Sequence, residues 1–266
     1  MSHTVTPSVI AVHAAVRKRA PLVQCITNYV SMDLAANVLN AAGASPAMVH
    51  DPREAGEFAA IAGAVVANIG TLSPRWVDGM LAAVEVAHEA GTPWVLDPVA
   101  VGATSYRREA VDRLLEHDPT VIRGNASEIL TIATRAGGGK GVDSAASVDD
   151  VREHADDLAR RTHAVVAVTG PEDYVTDGER PPTVLRGGDA RMPLITALGC
   201  SVSALVGACC AVHDDAHQPA AAALAIVAAA GEIAGAAAEG PGSLRWRMLD
   251  ELSRLDAAHL AQHIAP

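Results

Sequence analysis

The chain has 266 residues, of which half are apolar and 19% charged, and a formal net charge of −11. That length and apolar share suit one packed α/β domain over residues 1–266 and exclude global disorder. The acidic balance excludes a general nucleic-acid or anionic-membrane surface, because no basic excess exists to neutralise phosphates, although a local positive site can still bind one nucleotide.

Near the start, Arg17, Lys18 and Arg19 follow a weak apolar stretch instead of preceding it, which is not the layout of a signal peptide. Short β-rich runs then alternate with helical patterns. Strands are expected at 23–26, 47–49, 64–68, 94–96, 120–122 and 165–169, with helices at 32–42, 74–90, 107–115 and 148–161. The strands read as continuous apolar runs, as parallel strands covered on both faces do. Right-handed crossovers then give a three-layer α/β/α fold with a mostly parallel central sheet.

Ser147 and Asp150 form a capping-box pattern ahead of the 148–161 helix. Asp177-Gly178, between Tyr174-Val175 and Val184-Leu185, predicts a hairpin or looser antiparallel turn on the sheet edge. Beyond Gly199 the pattern is almost wholly helical. The alanine run 220–230 ends at Gly231-Glu232, too short and too weakly apolar to span a bilayer. Cys25, Cys200, Cys209 and Cys210 form no C-x-x-C pair, so neither zinc nor a disulfide framework is expected. The expectation is a soluble, cytoplasmic protein.

Ligands of such sheets collect beyond the carboxyl ends of the strands. Thr196-Ala197-Leu198-Gly199-Cys200 runs into the helical stretch 201–212. Free backbone N–H groups at a helix start favour an anion, Gly199 permits close approach, and a first-turn cysteine has its thiolate favoured. A glycine turn followed by a small buried cysteine accounts for the same residues. Asp97 ends a buried strand and suits Mg²⁺ or an N-cap equally. Arg123 can fork onto phosphate, and Glu128 falls in the first turn of the next helix, where an acid is also ordinary dipole complementation. Thr169-Gly170 ends another strand, suiting phosphate contact or a plain turn, and Met48 is core filler or a ligand contact. Gly137-Gly138-Gly139-Lys140-Gly141 fails as a Walker A loop, because Gly141 stands where Ser or Thr must hold Mg²⁺. No G-x-G-x-x-G follows the first strand, and no H-E-x-x-H occurs.

The order of these signals carries more than any one of them. Asn125 to Glu128, then Val168-Thr169-Gly170, then a glycine loop opening a helix, resembles the ribokinase-like superfamily. Ile26-Thr27-Asn28-Tyr29-Val30, Gly43-Ala44-Ser45-Pro46-Ala47-Met48, Asn68-Ile69-Gly70-Thr71-Leu72 and Leu96-Asp97-Pro98-Val99 resemble the hydroxyethylthiazole kinase family within it. So do Arg123-Gly124-Asn125-Ala126-Ser127-Glu128, Lys140-Gly141-Val142-Asp143-Ser144 and Gly240-Pro241-Gly242-Ser243.

That resemblance implies phosphorylation of 4-methyl-5-(2-hydroxyethyl)thiazole by Mg²⁺-ATP in thiamine salvage, in homotrimers whose substrate pockets lie between subunits. It implies that Met48 contacts the thiazole with Asn28 nearby, and that Arg123 and Thr169 contact ATP. By the same resemblance Asp97 and Glu128 organise Mg²⁺ through water. Cys200 stands where most ribokinase-like kinases carry a catalytic aspartate, and is expected to orient the substrate hydroxyl and accept its proton. The family's Gly-x-Gly-Cys is here Ala197-Leu198-Gly199-Cys200, so Ala197 replaces a glycine that contacts substrate and shapes the anion hole. Alanine there is strained only if the position has positive φ. Competing expectations are a hydroxymethylpyrimidine-type kinase, a nicotinamide-hydrate dehydratase on the same fold, and a non-catalytic binding protein.

Overall fold

The computed structural model describes residues 5–136 and 148–264. The Ser147–Asp150 capping box, the glycine-rich 137–141 stretch and Lys140-Gly141-Val142-Asp143-Ser144 therefore lie outside the fully described residues. In chain order the elements are α1 (Val5–Arg19), β1 (Leu22–Ile26), α2 (Met32–Ala42), β2 (Ser45–Ala47), α3 (Ala55–Ala59), β3 (Ala64–Asn68) and α4 (Pro74–Ala90). Next come β4 (Trp94–Asp97), α5 (Ser105–Leu115), β5 (Val121–Asn125), α6 (Ala126–Ala136), α7 (Val148–Thr162) and β6 (Val165–Thr169). The rest is β7 (Asp173–Thr176), β8 (Thr183–Leu185), a 3-10 turn (Met192–Leu194), α8 (Leu198–Cys210), α9 (His217–Gly235), α10 (Pro241–Arg254) and α11 (Ala257–His263).

One eight-stranded sheet runs in the order β2-β1-β3-β4-β5-β6-β7-β8. Pairing is parallel from β2 to β6, and β7 and β8 add on antiparallel, with Tyr174 opposite Val184. The expected mostly parallel three-layer architecture and the edge hairpin both hold. Side chains alternate along the strands, so each strand feeds two cores. Val23, Cys25, Val66, Val95 and Val121 pack with α1, α2, α8, α9 and α10, whereas Val65, Ala67, Trp94, Leu96 and Ile122 pack with α4 to α7.

Some boundaries differ from expectation for local reasons. The edge strand is Ser45–Ala47 and not 47–49, because the Val49 carbonyl is taken by the Gln24 side chain (3.0 Å). Pro46 is tolerated there because an edge strand has one side free. Strand β5 continues through Arg123 to Asn125, paired residue by residue with β6. Helix α8 starts at Leu198, so Gly199 and Cys200 are helical, and the sharp turn falls at Ala197. Helix α1, which sequence left unassigned, buries Val9, Val12 and Val16. It packs on α9 and α11, and the Thr6 hydroxyl donates to the Ile264 carbonyl (3.4 Å). Helix α9 is 19 residues long and apolar enough for a membrane span, but 78% of its apolar window is buried, so it is a core helix.

Candidate active site

The carboxyl ends of β1, β3, β4, β5 and β6 and the start of α8 bring most of the singled-out residues to one edge of the sheet. Ala197 precedes α8 with φ 68° and ψ 5°, a left-handed turn that directs the chain into the helix. The strained alternative is therefore the one realised. Gly199 is helical, so the competing account of a glycine turn does not hold at this position. Close approach is what it permits, here to Arg123: a Cβ there would lie 3.0 Å from Nη1.

Arg123 is 9% exposed and donates from Nη2 to Thr169 Oγ1 (2.6 Å). Its buried Nε has no partner among the described residues. This cation opens onto a cleft of about 660 Å³ lined by Thr169, Gly170, Gly188, Met192 and Val227. That volume is typical of small-molecule sites. The Met192 wall is held by Arg191, which binds Asp189 and donates to the Gly235 and Ala238 carbonyls at the end of α9 (2.7 Å each). Leu198 and Gly199 line the same cleft, so the helix start and the guanidinium face one space.

Beside it lies a buried polar chain. Asn28 Nδ2 donates to Cys200 Sγ (3.3 Å) and to Asn68 Oδ1 (2.9 Å). Asn68 Nδ2 donates to Asp97 Oδ2 (2.6 Å), as does the Ser203 hydroxyl (2.9 Å). Burial pushes the Asp97 carboxyl up to about 6, with Arg123 opposing and Glu128 adding to the rise. Burial, followed by the nearby Asp97 charge, also pushes the Cys200 thiol up, and the Asn28 and Asn68 amides and the Arg123 charge offset this only in part. This direction runs against the expected stabilisation of the thiolate: burial favours the neutral thiol.

Glu128 is fixed by backbone N–H groups of Ala100 and Asn125 (2.9 Å each), and Asn125 Oδ1 caps the Glu128 N–H in return (3.0 Å). Among the described residues no group of three or more His, Cys, Asp or Glu could hold a metal. Asp97 and Glu128, close enough for one to shift the other, fit a hydrated Mg²⁺ that shares its shell with phosphates, because Mg²⁺ seldom uses an all-protein cage. The unpartnered Nε of Arg123 likewise fits a phosphate oxygen.

Met48 stands apart. It follows β2 and packs half-buried on the core layer of α8, and no hydrogen bond joins it to Asn28 or Cys200 among the described residues. The loop carrying it is pinned by aromatic contact: His50 stacks on Trp76 at 4.1 Å, and Tyr29 tilts against Trp76 at 5.0 Å. Sequence reasoning gave no role to Asn68, Ser203 or Trp76. Ser203 is a hydroxyl on a largely apolar helix, and its partner Asp97 lies 106 residues away, so no local pattern pointed to the polar chain.

A family model described as the Hydroxyethylthiazole kinase family matches residues 13–258. A hydroxyethylthiazole kinase of Rhizobium johnstonii is 58% identical over 92% of this chain and 92% of its own. The solved structure of a hydroxyethylthiazole kinase protein from Pyrococcus horikoshii OT3 superposes with TM-score 0.90 at 36% identity, covering 97% of each chain. An ADP complex of a Bacillus subtilis pyridoxal kinase, at 19% identity and TM-score 0.57 over 79% of this chain and 91% of that one, shares the ribokinase-type fold.

Proposed function

The chain belongs to the hydroxyethylthiazole kinase family, and from that premise we propose that it transfers the γ-phosphoryl group of ATP to the hydroxyl of 4-methyl-5-(2-hydroxyethyl)thiazole. The observation that carries the reading is the double contact of the first turn of α8. Gly199 lies against the Arg123 guanidinium facing the cleft, and Cys200 Sγ meets the Asn28 amide. A nucleotide in the cleft and an alcohol beside Cys200 would meet at that turn.

Phosphoryl transfer proceeds through a loose transition state, so placement and charge stabilisation outweigh base strength. Arg123 and Thr169 hold the phosphates, and the N–H groups of Ala197, Gly199 and Cys200 cradle the oxygens of the transferred group, the Leu198 N–H being engaged by the Ile195 carbonyl. Mg²⁺ at Asp97 and Glu128 would neutralise β/γ charge. Cys200, a neutral thiol, orients the hydroxyl; its role as proton acceptor is secondary, because its surroundings disfavour the thiolate. Met48 and Asn28 line the alcohol side. We place this activity in thiamine salvage, in a soluble cytoplasmic homotrimer. Tyr29 and Val30, 66% and 63% exposed directly after Asn28, support a subunit boundary beside the site.

The test is Mg²⁺-dependent ADP release with hydroxyethylthiazole, with hydroxymethylpyrimidine and with hydrated NADH as separate acceptors. Release with the thiazole alone supports the reading. Phosphorylation of the pyrimidine alone, dehydration of hydrated NADH, or thiazole binding with no ADP would each replace it. Cys200→Ala should slow turnover without abolishing it, and Cys200→Asp should retain activity.

A further inference from the structure

We propose that Asn68 is a positioning residue of this site, a junction that orients the Asp97 carboxylate and, through Asn28, the Cys200 sulfur; the proposal rests on the kinase reading above. The amide orientations follow from the network, because each carbonyl oxygen faces a backbone donor that cannot be reversed. Gly70 N–H donates to Asn68 Oδ1 (2.9 Å), so Asn68 Nδ2 must face Asp97. Ser31 N–H donates to Asn28 Oδ1 (3.1 Å), so the two protons of Asn28 Nδ2 serve Asn68 and Cys200. Flipping Asn68 would set its NH₂ against a backbone N–H and its oxygen against a carboxylate, a doubly unfavourable arrangement.

The network therefore has a fixed polarity. Cys200 always receives an N–H on sulfur, which leaves its own S–H to find another acceptor. Asp97 Oδ2 always receives an N–H from Asn68 and an O–H from Ser203. Ser203 sits on α8 one turn after Cys200, so the carboxylate is tied to both the end of β3 and the helix that carries the sulfur. Asn68 and Ser203 are fully buried, and Asp97 and Asn28 are 1% and 7% exposed, so these bonds are shielded from bulk water. Gly70 keeps the junction open: a Cβ there would lie 2.5 Å from Asn28 Nδ2. Partners of this kind typically change activity by about 10- to 100-fold when removed.

The experiment uses the whole protein with ATP, Mg²⁺ and hydroxyethylthiazole. Asn68→Asp keeps the shape and the acceptor for Gly70 but replaces the amide donor with a carboxyl, which meets Asp97 either as a second negative charge or by holding a shared proton. It is expected to lower kcat by about tenfold or more, with KM for both substrates changed by less than about threefold. In Asn68→Ala, the further loss caused by Cys200→Ala should be smaller than in the wild type, because one unit is already broken. If the Asn68 variants do not fold, Ser203→Ala cuts the other tie to Asp97 and should show the same split between kcat and KM. Unchanged kcat, fully additive losses, or a lower melting temperature with normal kcat would each overturn the junction while leaving the kinase reading intact. A wild-type protein that turns over no thiazole would instead overturn the reading and the junction with it.

Discussion

Ala197 places a methyl group at φ 68°, where a side chain costs about 1–2 kcal/mol relative to glycine. Ala197→Gly should therefore raise stability by about 1 kcal/mol in denaturant unfolding. If the methyl also crowds the anion hole, the same variant raises kcat; a stability loss would mean that the Cβ packing of Ala197 outweighs its backbone strain. Asp97 and His13 set a second residue-scale expectation. Asp97 is raised to about 6, so its protonated form adds stability that is complete below the usual carboxylate value and lost as pH rises through 6. His13 is lowered to about 4, by burial and then by Arg17, so its neutral form adds stability that is present above 6.5 and lost as pH falls through 4. The two slopes oppose each other, at up to about 3 kcal/mol apiece, across the same window. Metal-free Asp97→Asn should thus be more stable than wild type at pH 7, and its stability should fall more steeply than that of wild type from pH 6.5 to 4, because the opposing Asp97 slope is gone. Thermal melts over that range check it, and parallel wild-type and Asp97→Asn curves would refute it.

The loop between β2 and α3 is held to α4 through Gly79, where a Cβ would overlap the His50 carbonyl oxygen. Because the obstacle is backbone, it cannot rotate away. Gly79→Ala should cost about 1–3 kcal/mol and raise KM for the thiazole more than for ATP, since the shifted segment carries Met48 and not the nucleotide cleft. Equal KM changes would remove Met48 from the substrate wall. At this scale the sequence was informative wherever hydrophobic period and turn chemistry agreed, as in α2 and α4, which match their expected spans, and in the Asp177-Gly178 turn. It was uninformative where partners lie far along the chain. The Val49 carbonyl leaves the sheet because of Gln24, and α8 begins early because Ala197 adopts a left-handed angle that no local pattern reveals. Arg123, Thr169, Asp97 and Cys200 were readable as residues at strand ends and a helix start. Asn68 and Ser203 were not, because a polar residue inside an apolar run shows its meaning only once its partner strand or helix is known.

For the whole molecule, the proposed trimer predicts a native mass three times that of the chain in light scattering. Val30→Asp, which sets a charge on the exposed patch beside Asn28, should lower mass and turnover together. A monomeric wild type with full activity would discard the shared site. Residue numbers also conceal how far apart in time the parts of one core are made. The valines of α1 are made well before α9, the helix they meet most extensively, which begins roughly 200 residues later in the chain. At a ribosomal pace of about 5–20 residues per second, α1 waits roughly 10–40 s before α9 covers it. During synthesis, then, the apolar side of α1 is open to a holdase until α9 and α11 emerge to cover it.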